Sequence, residues 1–76
     1  MYPKTNYMWN PIYEAYGVVR VDRDKVRVHK DQYNYATVFI GAPVTHALWS
    51  NGYLHVYLAN GTVRRYLDLM NYVTIY

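Results

Sequence analysis

The sequence predicts an all-β fold, a small antiparallel meander of five to six short strands curled into a partly open barrel. Residues 44–67 carry this prediction, because they contain three short β-prone runs separated by two Asn-Gly pairs, at Asn51 and Gly52 and at Asn60 and Gly61. Asn-Gly between such runs favours a two-residue hairpin loop, since a type I′ turn needs positive φ at both central positions.

Two-residue loops at both turns would fix which side chains share a face. Partners across antiparallel strands point the same way, and side chains alternate along each strand. One face is then apolar and is predicted to form the core; its members are Ala47, Trp49, Leu54, Val56, Leu58, Val63 and Leu67. The opposite face is rich in rings and hydrogen-bonding groups; its members are His46, Leu48, Tyr53, His55, Tyr57, Arg64 and Tyr66.

The second face is the candidate binding surface. Tyrosine offers a large, rigid contact area at low entropic cost, and arginine can lie flat on an aromatic ring. The alternative is that the chain covers these rings with its own N-terminal segment, because tyrosine is often half-buried. Both interpretations depend on loop length, since a longer, bulged loop at either Asn-Gly would swap the faces of one strand.

Arg65 departs from the pattern, because this register places it on the apolar face opposite Val56. An unpaired charge is costly there. We expect its long side chain to reach the rim of the sheet. The alternative is an ion pair with Asp68 or Glu14.

Residues 18–30 predict a second hairpin with a polar loop at residues 23–24. Its valines share one face, and Arg20 lies opposite Arg27 on the other. Like charges opposed across strands cost stability, so either solvent screens them or they bind an anion such as a phosphate or a partner's carboxylate. With His29 alongside, this is the most electropositive spot predicted.

The other segments complete the predicted meander. An Asn-Pro pair is typical of a helix start and predicts at most one helical turn over residues 11–16, whereas residues 35–40 and 72–76 are further β-prone runs. Residues 1–10 are interpreted as an N-terminal arm. An internal echo nine residues apart is interpreted as two successive hairpin arms, SNGYLHVYL and ANGTVRRYL.

Length and composition favour one small binding domain. Seventy-six residues predict a single domain, residues 1–76, of the size of SH3-like and OB-like barrels. The chain has eleven tyrosines, two tryptophans, no cysteine and a net charge of +3. Enrichment in tyrosine, tryptophan, methionine and arginine, with little lysine, is typical of protein–protein interface cores. A protein partner or a second copy of the chain is therefore the expected ligand.

No catalytic residue, cofactor or metal is predicted. The glycines lie singly, so no phosphate-binding loop is recognisable, and the carboxylates are scattered. The lone serine, Ser50, lacks an evident base. His46 and His55 share a face but lack a third metal ligand. We therefore expect the chain not to be an enzyme.

No apolar run reaches the length of a membrane span, and no signal peptide is recognisable. We therefore expect a cytoplasmic protein that does not bind membranes. The short, cysteine-free, tyrosine-rich chain would suit a viral accessory protein in the host cytoplasm, although no motif indicates one.

The sequence thus predicts a non-catalytic small binding protein: an inhibitor, an adaptor or a subunit of an assembly that includes homo-oligomers. The alternative is a nucleic-acid-binding small barrel that stacks bases on tyrosine and contacts phosphates with arginine. The predicted binding residues are Arg20, Arg27, His46, Tyr53, His55, Tyr57, Arg64 and Tyr66.

Overall fold

The computed structural model describes residues 11–76 as one short helix and seven strands in two antiparallel sheets. The elements are α1 (Pro11–Tyr16), β1 (Val19–Asp22), β2 (Lys25–His29), β3 (Tyr35–Phe39), β4 (Val44–Ser50), β5 (Tyr53–Leu58), β6 (Val63–Tyr66) and β7 (Tyr72–Thr74). The strand order is β1-β2-β3 in the first sheet and β4-β5-β6-β7 in the second, so each sheet is a meander. The predicted all-β class and the single helical turn are confirmed.

The barrel is not confirmed, because the seven strands described here lie in two separate sheets that do not close into one. The break falls between β3 and β4, where Pro43 has no N–H to donate to a ladder. At this corner a backbone hydrogen bond from Val44 joins the two sheets, and one from Ile40 continues the pairing of β2 with β3. Ile40 donates to the carbonyl of Asp24 and Val44 to that of Arg23, both at 2.9 Å. The predicted arm, residues 1–10, lies outside the described residues.

The first hairpin has the register that the sequence predicts. Val19 pairs with Val28 and Val21 with Val26, around a two-residue loop in which Arg23 has a φ of 58°. Val26 and Val28 are fully buried. The apolar face of this hairpin is therefore part of the core, and the arginine face lies outside it.

The loop at Asn51 and Gly52 is also as predicted. Their φ angles of 53° and 82° are both positive, as a type I′ turn requires. Trp49 pairs with Leu54 and His46 with Tyr57, in the expected register.

The predicted loop at Asn60 and Gly61 is wrong, because it has three residues and not two. The N–H of Gly61 donates to the carbonyl of Leu58 at 3.0 Å, and the N–H of Leu58 donates to the carbonyl of Thr62 at 2.9 Å. Gly61 has a φ of 91°, whereas Asn60 is not in the left-handed region. This geometry is a type I turn followed by a left-handed residue, the usual three-residue hairpin loop.

The extra residue reverses the two faces of β6. Val56 pairs with Arg64, not with Arg65, and Leu54 pairs with Tyr66. Arg64 and Tyr66 consequently share the inner face of the second sheet, the face that packs against the first. Arg65 lies on the outer face, so neither the rim position nor the ion pair expected for it on the apolar face applies.

The core lies between the first sheet and the inner face of the second. Its buried side chains include Val26, Val28, Val38, Ile40, Leu54, Val56, Leu58 and Tyr66. Tyr66, assigned by the sequence to the binding surface, is only 2% exposed. Val63, assigned to the apolar face, is buried on the outer side of the sheet opposite Tyr57.

Two hairpins of the fold share a sequence pattern that is distinct from the echo of the two hairpin arms. Asp-x-x-Asn-Tyr-x-Thr occurs at residues 31–37 and again at residues 68–74. We call residues 25–39 the first repeat and residues 62–76 the second repeat. The strand registers are equivalent: Arg27 pairs with Thr37 as Arg64 does with Thr74, and His29 pairs with Tyr35 as Tyr66 does with Tyr72.

The turns of the two repeats are held by the same hydrogen bonds. The carboxylate of Asp31 accepts the backbone N–H groups two and three residues on, at 2.8 and 2.9 Å, and the side-chain amide of Asn34. Asp68 accepts the equivalent backbone groups, both at 2.8 Å, and the side-chain amide of Asn71. An aspartate that caps its own turn in this way replaces water at the orphaned N–H groups.

These contacts lower the pKa of both carboxyls. For Asp31 the side-chain hydrogen bond from Asn34 is the largest cause. For Asp68 burial raises the pKa. The hydrogen bonds from Asn71 and from the backbone of Met70 together lower it by more, so the net shift is downward.

We predict that acid destabilises the fold through these two turns. Because both carboxyls have a lower pKa in the folded chain than the ordinary 3.8, the unfolded chain binds protons first. The two carboxylates stabilise the folded chain fully at pH values above their pKa in the unfolded chain. This stabilisation is lost as the pH falls through their pKa values in the folded chain. Urea unfolding at decreasing pH measures this loss, and Asp31→Asn combined with Asp68→Asn should flatten it, whereas Asp24→Asn in an exposed loop should not. A loss unchanged in the double variant would contradict the assignment.

We also predict that Tyr66→Ala destabilises the chain much more than Tyr57→Ala does. Tyr66 is buried in the core, and deleting a large buried ring costs about 3–5 kcal/mol. Tyr57 lies half-buried on the outer face, so its removal leaves a smaller cavity. Chemical denaturation compares the two free energies of unfolding; equal losses would contradict the register of β6.

Candidate functional site

The eight predicted binding residues lie on three surfaces. The outer face of the second sheet carries His46, Tyr53, His55 and Tyr57, its inner face carries Arg64 and Tyr66, and the outer face of the first sheet carries Arg20 and Arg27. The sequence placed Arg20 and Arg27 on the first hairpin, as observed, but the prediction that Arg64 and Tyr66 share a face with the other four is wrong. The role of each residue in binding stays a prediction.

On the outer face of the second sheet, the side chains mainly pack against one another. The rings of His46 and Tyr57 are stacked, with centroids 4.2 Å apart and planes within 10°. The guanidinium of Arg65 lies 5.5 Å from the centroid of the Tyr53 ring. The arginine that contacts the rings of this face is Arg65, and not Arg64 as predicted.

His55 lies at the centre of this face and is only 8% exposed. The Nε of Arg65 donates to the Nε2 of His55 at 3.4 Å. Burial is the main reason that the pKa of His55 lies below its ordinary value of 6.5, and the positive charge of Arg65 lowers it further, against a smaller opposing effect of the Tyr53 backbone. A neutral His55 can accept the arginine N–H, which a protonated one cannot.

On the outer face of the first sheet, Arg20 lies opposite Arg27 as predicted. The charge of Arg27 is paired within the chain, because its Nη2 lies 3.0 Å from the Oδ2 of Asp22. Its guanidinium also lies 5.5 Å from the centroid of the Tyr35 ring. The electropositive spot is therefore partly neutralised by a carboxylate of the same hairpin.

A pocket of about 490 Å³ opens where the end of β3 meets β6 and β7. We call it the Arg64 pocket; its lining residues are Thr37, Phe39, Ile40, Arg64, Tyr66, Leu69, Met70 and Tyr72. Its volume lies within the range of ordinary ligand sites. Phe39 is 72% exposed and Met70 is 84% exposed, so its rim is apolar and open to water.

Arg64 provides the only formal charge in this pocket's lining. Its Nη1 donates to the carbonyl of Ile40 at 2.9 Å and to the hydroxyl of Tyr66 at 3.1 Å. Its guanidinium lies 4.4 Å from the centroid of the Tyr72 ring, close enough for a cation–π contact. Burial raises the pKa of Tyr66, so the hydroxyl stays neutral and does not supply a counter-charge.

The sequence did not indicate that Phe39, Leu69, Met70 and Tyr72 line one pocket. Leu69, Met70 and Tyr72 are close in the chain, but Phe39 comes from the distant strand β3, and no local pattern joins it to them. The repeat was the available signal, because it makes Tyr72 equivalent to Tyr35 and Arg64 equivalent to Arg27.

Among residues 11–76, no three histidine, aspartate or glutamate side chains lie close enough together to hold a metal ion. In the same residues no helix has the length and hydropathy needed to cross a membrane. No family model, curated protein or solved structure matches this chain.

We predict that Arg65→Gln raises the pKa of His55, because it removes the neighbouring positive charge. In the parent chain the unfolded state takes up a proton on His55 before the folded state does. The free energy of unfolding should therefore fall as the pH drops below about 6.5 towards the folded pKa. Titration of the imidazole resonances by NMR measures the shift, with Arg23→Gln as the control. An ordinary pKa for His55, or a pKa of His55 that Arg65→Gln leaves unchanged, would contradict the packing of the outer face.

Proposed function

We propose that this chain is a non-catalytic binding protein that docks on a protein partner through the apolar rim of the Arg64 pocket. The observation that carries the proposal is that the exposed side chains of Phe39, Leu69, Met70 and Tyr72 cluster around one opening. Contiguous exposed apolar surface is costly in water, and on soluble proteins it marks interaction sites.

The composition of this rim supports a protein as the partner. Aromatic residues, methionine and arginine are the types enriched at the centre of protein interfaces, and lysine, aspartate and glutamate are depleted there. The pocket lining has aromatic rings, Met70 and Arg64, and it has no lysine or carboxylate. Tyr66, which is buried, supports Arg64 in this role and does not touch the partner.

Other predicted contact residues extend this proposal to the outer faces. His46, Tyr53 and Tyr57 remain candidates for a second contact area, with His55 beneath them as support. Arg20 is exposed beside the paired Arg27 and is a candidate for a polar contact at the edge of an interface.

The alternative, nucleic-acid binding, has less support. Affinity for nucleic acid comes mainly from several cations that contact phosphates. The Arg64 pocket has one arginine, and on the first sheet Arg27 already pairs with Asp22.

A photo-crosslinker at Met70 tests the proposal. The full chain carrying p-benzoylphenylalanine in place of Met70 is irradiated in extract of its native cells, and the adducts are analysed by mass spectrometry. We expect a discrete protein adduct, or a dimer adduct if the partner is a second copy. The control carries the same group in place of Tyr33, which occupies the equivalent turn position of the first repeat and is 81% exposed.

Three results would contradict the proposal. The first is the absence of any adduct from position 70, and the second is an identical set of adducts from position 33. The third is an adduct that nuclease treatment removes, which would favour the nucleic-acid alternative.

A further inference from the structure

We infer that the Arg64 pocket binds a carboxylate side chain from an acidic segment of the partner protein, with a neighbouring apolar side chain of that segment against Phe39 and Met70. This inference rests on the proposed function and specifies the chemistry that the partner presents. It follows from the two repeats, from the charge of Arg64 and from the composition of the pocket walls.

The first repeat shows what its arginine binds. Arg27 lies over Tyr35 and receives the carboxylate of Asp22, two residues from the cross-strand partner of Arg27. In the second repeat, Arg64 lies over Tyr72 in the same arrangement. The two repeats thus place an arginine and a tyrosine ring in equivalent positions, and one of them holds a carboxylate.

In the first repeat the carboxylate comes from the preceding strand, β1, and the strand that precedes the second repeat, β5, has no equivalent. Arg64 pairs with Val56, and the residue two positions further along β5, equivalent to Asp22, is Leu58. The position that an aspartate fills beside Arg27 therefore has no charged counterpart beside Arg64. Because Leu58 is buried in the core, a carboxylate from another molecule would reach Arg64 from the open side of the pocket.

Arg64 keeps an unpaired charge and unused donors. Among residues 11–76 the only ion pairs are those of Lys25 with Asp24 and Arg27 with Asp22, so no described carboxylate lies within 4.0 Å of Arg64. Both of its hydrogen bonds use Nη1 and go to neutral oxygens. Its Nε and Nη2 groups are left to form the two parallel hydrogen bonds that a carboxylate accepts from a guanidinium.

The apolar walls of the pocket strengthen an ion pair between Arg64 and a ligand carboxylate. They also require an apolar group on the ligand. Half-buried charges attract one another more strongly when apolar groups exclude water around them. Phe39, Leu69 and Met70 provide this apolar surrounding. A segment that places an aromatic or aliphatic side chain next to its acid would fill the pocket and cover the rim.

A single arginine suits a carboxylate side chain better than a phosphate backbone. The other seven lining residues carry no formal charge at neutral pH. A polyanion is bound through a track of several cations, and this pocket presents only one. The carboxylate of an acidic segment needs only the one guanidinium group of Arg64.

Two capped dipeptides test the inference on the full chain. Acetyl-Glu-Phe-amide carries the carboxylate and the ring, and acetyl-Gln-Phe-amide is its uncharged isostere. Each is titrated into the isotope-labelled protein while the backbone and arginine side-chain resonances are followed by NMR. We expect saturable shifts at Arg64, Phe39 and Met70, with the glutamate peptide bound about five- to tenfold more tightly.

Substitutions separate the charge from the apolar wall. Arg64→Gln should abolish the preference for glutamate over glutamine, while Arg23→Gln, which removes an exposed arginine of the first hairpin loop, should not. Because Arg64 also holds Ile40 and Tyr66, Arg64→Gln can impair folding. Met70→Ser alters an exposed side chain and should weaken both peptides equally in a folded protein.

Several outcomes would overturn the inference. Equal binding of the two peptides would make the pocket an apolar site without a role for the charge. Resonance shifts only at residues outside the pocket would also overturn it. So would the same shifts with inorganic phosphate alone, or the absence of any shift with either peptide. If the crosslinker at position 70 still captures a protein in any of these cases, the proposed function stands and only the acidic chemistry fails.

Discussion

The three-residue loop at residues 59–61 is the constraint on which the arrangement of the second sheet depends. Gly61 supplies the left-handed residue that closes the loop, and the side chain of Asn60 accepts the N–H of Thr62 at 2.9 Å. Because side chains alternate along a strand, this one additional residue decides which face of β6 meets the core. It brings Tyr66 inside and leaves Arg65 beside His55 on the outer face.

The same loop explains how two similar hairpins present similar side chains to different surroundings. The first repeat follows a two-residue loop and directs its arginine and tyrosine away from the core, where Asp22 neutralises Arg27. The second repeat follows the longer loop and turns Arg64 and Tyr72 towards the inner side of its sheet. There the arginine meets a carbonyl, a hydroxyl and a ring, and its charge remains available to a ligand.

Local signals predicted much of the fold. The hairpin of β1 and β2 and the loop at Asn51 and Gly52 have the expected registers, since each depends on a few adjacent residues. The loop at Asn60 and Gly61 does not have the expected register. Asn-Gly is compatible with both a two-residue and a three-residue loop, and the residues of β6 can lie on either face of the sheet. The division into two sheets and the Arg64 pocket depend on contacts between distant strands, which a local pattern does not encode. The repeat carried information about the site, although it was not recognised from the sequence.

Cross-strand NOEs between Hα protons of β5 and β6 test the central claim most directly. Residues in a non-hydrogen-bonded antiparallel pair bring their Cα atoms to about 4.5 Å, which gives a strong Hα–Hα signal. The three-residue loop predicts such a signal between His55 and Arg65. A strong signal between Val56 and Arg65 instead would show a two-residue loop, return Tyr66 to the outer face and contradict the account of the Arg64 pocket.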